Sequence, residues 1–206
     1  MVFNFFKTPY LFRKIFPKAV WGFSSSTRIY LTFDDGPDPE ITPWVLDELA
    51  KTKTKATFFC VGENVAMYPE IFQRILDEGH SVGNHSMKHE KGWNTSTPNY
   101  LASVASANTL IKSTLFRPPY GKMTPHQYKL IAKSYQVIMW SWLSYDYNSK
   151  IEISTILAKA QKDLKAGDII VLHDNRKTKE RLKLILPKML AIIQEKELSC
   201  SSINAK

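Results

Sequence analysis

The sequence predicts a single-domain α/β protein, built as a distorted or incomplete (β/α) barrel of seven or eight parallel strands. Short apolar runs alternate with helical patterns along the 206 residues, and no Gly/Ser-rich or low-complexity stretch divides the chain. Successive runs lie roughly 20 to 35 residues apart, as crossover connections between parallel strands require. An open doubly wound sheet has the same alternation and remains an alternative at this stage.

The helices are predicted from their starts and ends. Thr can accept a hydrogen bond from a free N–H of the first turn, and Pro at the first helical position has no N–H to leave unpaired. Four Thr-Pro pairs therefore predict four capped helix starts: Thr8-Pro9, Thr42-Pro43, Thr97-Pro98 and Thr124-Pro125. Two further helical patterns are predicted to end at Gly79 and Gly167.

Seven apolar or β-branched runs predict the strands. Strands of a parallel sheet are covered by helices on both faces, which is why such runs are apolar throughout. The runs cover residues 29–33, 56–61, 81–82, 115–116, 137–140 and 169–172, with a weaker one at 198–203.

Polar side chains follow nearly every run at its carboxyl end. In a parallel barrel those ends meet on one face, where the active sites of such folds are built. The residues in question are Asp34, Asp35, Asn84, His85, His89, residues 117–121, Asp146, His173 and Asp174.

Two of these groups indicate a metal site with a neighbouring base. His85 and His89 are four residues apart and can reach one divalent ion. Asp34 and Asp35 are adjacent carboxylates, and a nearby cation would remove the cost of their repulsion. Each group alone has a simpler interpretation. The two histidines can be a solvated pair, and the two aspartates can belong to an Asp-Gly-Pro turn. Since consecutive residues can point in different directions, one Asp can bind a metal while the other acts as a base.

The order and spacing of these groups resemble the polysaccharide deacetylase family, the NodB-homology carbohydrate esterases of family four. The resemblance covers about residues 28–174 and depends on five motifs. They are Thr-Phe-Asp-Asp-Gly-Pro at 32–37, His-Ser-Met-Lys-His at 85–89, Arg-Pro-Pro-Tyr-Gly at 117–121, the segment 140–147, and Leu172-His173. The fourth motif departs from the family pattern, with Leu143 where an acidic residue is frequent and Tyr147 in place of Trp.

The resemblance implies a metal-dependent hydrolase that removes acetyl groups from N-acetylated glycans, such as peptidoglycan-like or chitin-like polymers of N-acetylglucosamine. It implies that Asp35, His85 and His89 hold one divalent ion. Zinc suits these ligands, and cobalt, nickel and manganese are alternatives. The expected partner is an acetylated glycan.

The resemblance also assigns the remaining roles. Asp34 is the base that takes a proton from the metal-activated water, and His173 is the acid that protonates the departing amine. Arg117 orients Asp34, Asp146 pairs with His173, and the backbone N–H of Tyr120 stabilises the oxyanion. The side chains expected to contact the sugar are Tyr120, Trp142, Tyr147 and Leu172, with Trp93 as a further aromatic candidate.

The net charge of +9 is concentrated near the N-terminus. The first acidic residue is Asp34, and five of the surplus cations precede it: Lys7, Arg13, Lys14, Lys18 and Arg28. We therefore divide the chain into a basic aromatic arm, residues 1–27, and a deacetylase-like domain, residues 28–206. The arm is expected either to pack across the base of the barrel or to lie on an anionic membrane.

The remaining expectations concern partners and location. No nucleic-acid recognition motif accompanies the positive charge, so we expect no nucleic-acid partner, and we expect a monomer. No signal peptide or membrane-spanning segment is recognised, which favours a cytoplasmic or membrane-peripheral location.

Two other functions are compatible with the same motifs. One is a catalytically silent glycan-binding protein of the same fold, which the presence of all metal-binding and base residues disfavours. The other is a metal hydrolase of the same superfamily acting on small cyclic amides, which only substrate turnover would separate from a glycan deacetylase.

Overall fold

The structure is a computed structural model that describes residues 5–204. Seven parallel strands curve into an incomplete barrel in the order β5-β4-β3-β2-β1-β7-β6, and an eighth strand pairs with the start of β1. This confirms the predicted parallel α/β fold. The strands are β1 (Arg28–Asp34), β2 (Thr57–Cys60), β3 (Ser81–Asn84), β4 (Leu115–Phe116), β5 (Gln136–Val137), β6 (Trp142–Leu143), β7 (Ile169–His173) and β8 (Ser199–Cys200).

Eight helices cover the sheet within the described residues. They are α1 (Tyr10–Arg13), α2 (Thr42–Lys51), α3 (Gly62–Met67), α4 (Pro69–Asp77), α5 (Thr97–Ile111), α6 (Pro125–Ile131), α7 (Ile153–Asp163) and α8 (Lys179–Glu195). The helix starts and ends recognised in the sequence predict neither α3 nor α8. For α8 a signal was present, because its buried residues recur at helical spacing on both sides of Pro187: Leu182, Ile185, Leu186, Met189, Leu190 and Ile193.

Only one of the four Thr-Pro pairs caps a helix as predicted. The Thr124 hydroxyl accepts a hydrogen bond from the Gln127 N–H, and the Gln127 side chain returns one to the Thr124 backbone. In α2 and α5 the threonine is itself the first helical residue, so its hydroxyl is not at the cap position. The Thr42 hydroxyl instead donates to Asp174 at 2.6 Å.

The predicted helix ends agree with the structure better than the predicted helix starts do. Gly79 lies just beyond the C-cap of α4, with a φ of 74° that suits glycine. Gly167 also has a positive φ but lies four residues beyond the end of α7.

The predicted strand 137–140 is wrong as a continuous element. The chain leaves the sheet after β5 and re-enters it at β6, and these two short strands are the opposite ends of the sheet order. On the way, the Ile138 N–H donates to Phe116 in β4 and the Ser141 N–H donates to Ile169 in β7. This segment therefore crosses the open side of the barrel.

The N-terminal arm runs along the same open side. The Leu143 N–H donates to Phe6, the Thr8 N–H to Ser141, and the Val20 N–H to Val137. The side chains of Phe6, Phe16 and Trp21 are buried in the domain, at 7%, 4% and 8% exposed respectively. The arm thus packs on the barrel along its gap, which differs from the expected position across the base. The boundary between residues 27 and 28 stays a prediction.

Candidate active site

Strand β1 ends between the two adjacent aspartates and separates their roles. Asp34, its last residue, is in register with Phe59 of β2 and His173 of β7. Asp35 follows with a φ of 84°, a left-handed conformation that is uncommon outside glycine and that clusters at functional sites. The two carboxylates consequently make different contacts.

The Asp35 carboxylate meets both predicted histidine ligands. Asp35 Oδ1 lies 3.1 Å from His89 Nε2 and 3.6 Å from His85 Nε2. One ligand atom from each of these three residues lies within 4.8 Å of the others. His85 follows the end of β3, and His89 lies in the loop beyond it with a φ of 57°. The predicted metal-binding residues are therefore brought together.

The hydrogen bond of His85 fixes which ring nitrogen faces Asp35. His85 Nδ1 lies 2.8 Å from the Arg117 carbonyl oxygen, which can only accept, so Nδ1 carries the proton. In the neutral ring the lone pair is then on Nε2, the atom that faces Asp35 Oδ1. Asp35 Oδ1 is buried and has no hydrogen-bond donor among the described residues. Acceptor atoms turned toward one another in this way fit a divalent cation.

Asn175 holds the second oxygen of the same carboxylate. Its Nδ2 donates to Asp35 Oδ2 at 2.6 Å. Its Oδ1 accepts from the backbone N–H groups of Lys177 and Thr178, which fixes the direction of the amide. Burial raises the pKa of Asp35, but the neighbouring imidazoles of His85 and His89 outweigh it and hold that pKa well below its usual range. Asp35 is thus a charged, oriented candidate ligand.

Asp34 pairs with a fully buried guanidinium. Arg117 Nη1 donates to Asp34 Oδ1 at 2.6 Å and to the Thr32 hydroxyl at 2.7 Å. Its remaining nitrogens donate to the carbonyls of Ile138 and Met139. Arg117 therefore fixes one oxygen of Asp34, as predicted, while Asp34 Oδ2 makes no hydrogen bond within residues 5–204.

His173 pairs with Asp146, as the family resemblance implies. Asp146 Oδ1 lies 2.7 Å from His173 Nδ1, and Asp146 Oδ2 accepts from the His173 backbone N–H at 2.7 Å. Burial lowers the pKa of His173, but the charge and hydrogen bond of Asp146 outweigh it and raise the pKa to about 10. The imidazole is therefore protonated at neutral pH. The substitutions at Leu143 and Tyr147 leave this pair intact.

The predicted sugar contacts divide into exposed and buried residues. Tyr120 and Tyr147 are about half exposed, at 56% and 51%, and their rings lie against His89 and His173. Trp142 and Leu172 are wrong as sugar contacts, because both are fully buried in the main hydrophobic cluster. Trp93 is 61% exposed and lines a cleft beside Tyr120.

Tyr120 also has an unusual backbone conformation. Its φ is 60°, and no acceptor for its N–H is found in the described part of the chain. The N–H is therefore not committed to another described residue, which is compatible with the oxyanion role that the family resemblance implies for it.

Sequence reasoning missed two supporting groups. Asn175 gave no signal, because nothing in its spacing connects it with Asp35. Glu90 accepts hydrogen bonds from the Ser86 hydroxyl and the Lys88 N–H, and so closes the loop that carries His85 and His89. A carboxylate four residues after Ser86 was visible in the sequence.

Comparison with known proteins is consistent with this geometry. A family model described as polysaccharide deacetylase matches residues 24–139, more than half of the chain. The chain belongs to the polysaccharide deacetylase family. Its fold and motifs are those of the carbohydrate esterases of family four, and it is a polysaccharide deacetylase by its relatives.

Two curated relatives have related names. A peptidoglycan-N-acetylglucosamine deacetylase of Bacillus cereus is 33% identical over 180 residues, which cover 84% of this chain and 84% of the relative. A chitooligosaccharide deacetylase of Bradyrhizobium is 35% identical over 163 residues, 75% of this chain and 74% of the relative. Both relatives act on N-acetylated sugars by name.

A solved structure matches almost the whole chain. The Bc1960 peptidoglycan N-acetylglucosamine deacetylase superposes with a TM-score of 0.82 at 28% identity, covering 95% of each chain. It was crystallised with 4-naphthalen-1-yl-N-oxidanyl-benzamide.

Within residues 5–204 no helix is both long and apolar enough to span a membrane.

Proposed function

We propose that this polysaccharide deacetylase removes acetyl groups from glycans containing N-acetylglucosamine, with one divalent cation held by Asp35, His85 and His89. The observation that carries the proposal is the placement of Asp34 and His173 on neighbouring strands in direct register, beside the three ligand atoms. A base and an acid thus flank one metal-binding group. The names of the relatives support the substrate class.

The donor set favours zinc. Two imidazoles and one carboxylate oxygen are a common ligand set of catalytic zinc sites, and they leave coordination positions for water and substrate. When bound, such a cation acidifies water and polarises the acetyl carbonyl. Cobalt, nickel and manganese accept the same ligands, so the metal is assigned by analysis of the purified protein.

Asp34 is the proposed general base. Arg117 occupies its Oδ1, so Oδ2 is the oxygen left to accept a proton from the water that attacks the acetyl carbon. The buried guanidinium holds this carboxylate in one orientation and compensates its charge.

His173 is the proposed general acid. Its Nδ1 proton is held by Asp146, which leaves the Nε2 proton to be given to the departing amine nitrogen of the sugar. The raised pKa keeps this proton in place at neutral pH. The N–H of Tyr120 donates to the carbonyl oxygen as negative charge develops on it.

Acetate release tests the assignment. Wild-type protein, Asp34→Asn and His173→Ala are incubated with an N-acetylglucosamine oligomer, after chelation and after restoring zinc. We expect no release after chelation, release by the zinc-restored wild type, and rates lower by about 10²-fold or more in the zinc-restored variants, since general acid–base groups contribute about 10²–10⁴-fold. Equal rates in all three proteins would refute the roles of Asp34 and His173.

The two alternative functions are outcomes of the same assay. A silent glycan-binding protein would release no acetate in any metal state. A hydrolase of cyclic amides would act on such amides and leave the glycan oligomer unchanged.

A further inference from the structure

The N-terminal arm presents an apolar surface that the domain does not bury. Phe6, Phe16 and Trp21 point inward and anchor the arm. Between Phe6 and Phe16, helix α1 contributes no buried side chain. Four large apolar side chains of this segment are 47% to 74% exposed: Tyr10, Leu11, Phe12 and Ile15.

This surface continues toward the active site. Phe12 and Ile15 line a cleft of about 260 Å³ together with Trp93 and Tyr120. Trp93 and Tyr120 are also exposed, and the Tyr120 ring packs against His89 at 4.5 Å between ring centroids. The exposed apolar side chains therefore form one patch that reaches the edge of the metal-binding group. Patches of this kind mark interaction sites.

Cations are interleaved with these side chains. Lys122 Nζ lies 5.1 Å from the Trp93 ring and Lys91 Nζ 5.2 Å from the Tyr120 ring. On the arm, Arg13 lies over Tyr10, and the exposed Lys14 and Lys18 lie on either side of Ile15 in sequence. No acidic residue occurs in the first 33 residues of the sequence to neutralise the arm.

We infer that this basic aromatic face, formed by residues 10–18 with Trp93 and Tyr120, docks on the surface of an anionic lipid bilayer. Aromatic rings and lysines are the side chains that populate the membrane interface, and anionic headgroups complement the surplus positive charge. Lysine is depleted at protein interfaces, which disfavours a protein partner of the same patch. Because the patch reaches Tyr120, docking brings the catalytic face close to the lipid headgroups.

The inference is tested by sedimentation of the full chain with vesicles. Binding to phosphatidylglycerol/phosphatidylcholine vesicles is compared with binding to pure phosphatidylcholine, at low and high salt. We expect binding to the anionic vesicles that weakens with salt. We also expect Lys14→Glu/Lys18→Glu to reduce partitioning by about tenfold or more, since each basic residue near an anionic surface contributes about fivefold.

Matched variants control for charge and hydrophobicity. Lys133→Glu/Lys150→Glu makes the same change in net charge at exposed positions elsewhere. Leu184→Ser on α8 matches Leu11→Ser, since the two leucines are 56% and 70% exposed. We expect only the arm variants to lose binding.

Acetate release from a soluble oligomer separates this inference from the proposed function. The arm variants should keep wild-type rates on it, because none of their residues contacts the catalytic groups. The inference would be overturned if the protein did not bind anionic vesicles, or bound neutral vesicles equally well. It would also be overturned if the control variants lost as much vesicle binding as the arm variants. Self-association in solution that Leu11→Ser abolishes would overturn it too, because the patch would then be an interface between copies.

Discussion

Both carboxylate oxygens of Asp146 are hydrogen-bonded to His173, one to the ring Nδ1 and the other to the backbone N–H, each at 2.7 Å. The same carboxylate therefore orients the imidazole and stabilises its charged form. The Ser144 hydroxyl and the Tyr147 N–H also donate to Asp146 Oδ1, which keeps the carboxylate fixed. This relationship determines the ionisation of the proposed acid.

Asp146→Asn should lower the pKa of His173 from about 10 toward the ordinary value of 6.5, because Asp146 contributes the largest favourable charge. NMR titration of the histidine ring signals measures this pKa directly. The alkaline limit of the pH–rate profile should move down with it. Asp77→Asn, at an exposed position, is the control. An unchanged pKa of His173 in Asp146→Asn would contradict the prediction.

The same pair makes stability depend on pH. The pKa of His173 is raised in the folded state, so its contribution is complete below about 6.5 and is lost as pH rises through about 10. We expect the wild-type free energy of unfolding to fall over that interval by more than that of Asp146→Asn. Urea denaturation at several pH values measures it, and parallel curves for the two proteins would count against the pair.

Arg117→Met should destabilise the fold by about 3–5 kcal/mol, since it leaves the Asp34 carboxylate buried without its partner. Adding Asp34→Asn to the same protein should recover part of this loss, because the uncompensated charge is removed. Denaturant midpoints of the single and double variants give the comparison. A double variant less stable than Arg117→Met would show that the pair is not the source of the loss.

Asn175→Ala should weaken zinc binding by about 10–100-fold, the usual effect of removing a group that orients a metal ligand. The substitution frees Asp35 Oδ2 while all three ligands remain. Competition with a chromophoric chelator measures the affinity without using activity. Asn99→Ala, at an exposed position on α5, should bind zinc like the wild type. Equal affinities in both variants would remove Asn175 from the site.

Phe16→Ala should cost about 3–5 kcal/mol of folding free energy, because the ring is buried against Tyr128 at 4.9 Å between centroids. Phe12→Ala changes the same residue type on the same arm, but at a site that is 47% exposed, and should cost about 0.5 kcal/mol or less. Thermal or urea unfolding separates the two. Similar losses would mean that burial on the barrel does not hold the arm.

The sequence predicts the polar residues of the candidate site better than the side chains expected to contact the sugar. The structure brings Asp34, Asp35, His85, His89, Arg117, Asp146 and His173 together because the carboxyl ends of parallel strands converge. The family motifs predict sugar contacts for Trp142 and Leu172, whereas their places on β6 and β7 turn these side chains into the core. Motif membership does not fix the direction of a side chain.

Other features depend on contacts between distant parts of the chain. Asn175 reaches Asp35 across 140 positions of sequence, and no local pattern contains that information. The Thr42-Pro43 pair predicts a helix cap, but the buried Asp174 accepts a hydrogen bond from the Thr42 hydroxyl instead. The path of the arm likewise follows from a gap between β5 and β6 that strand counting alone does not reveal.

The closure of this gap has a consequence for folding during synthesis. The arm is made before the segment it pairs with, because its backbone partners at Val137, Ser141 and Leu143 come more than a hundred residues later in the chain. Until then Phe6, Phe16 and Trp21 have no cavity to fill, and such non-local pairings form slowly. The nascent chain therefore carries an exposed aromatic segment until the strands β5 and β6 have been made and the gap between them can receive it.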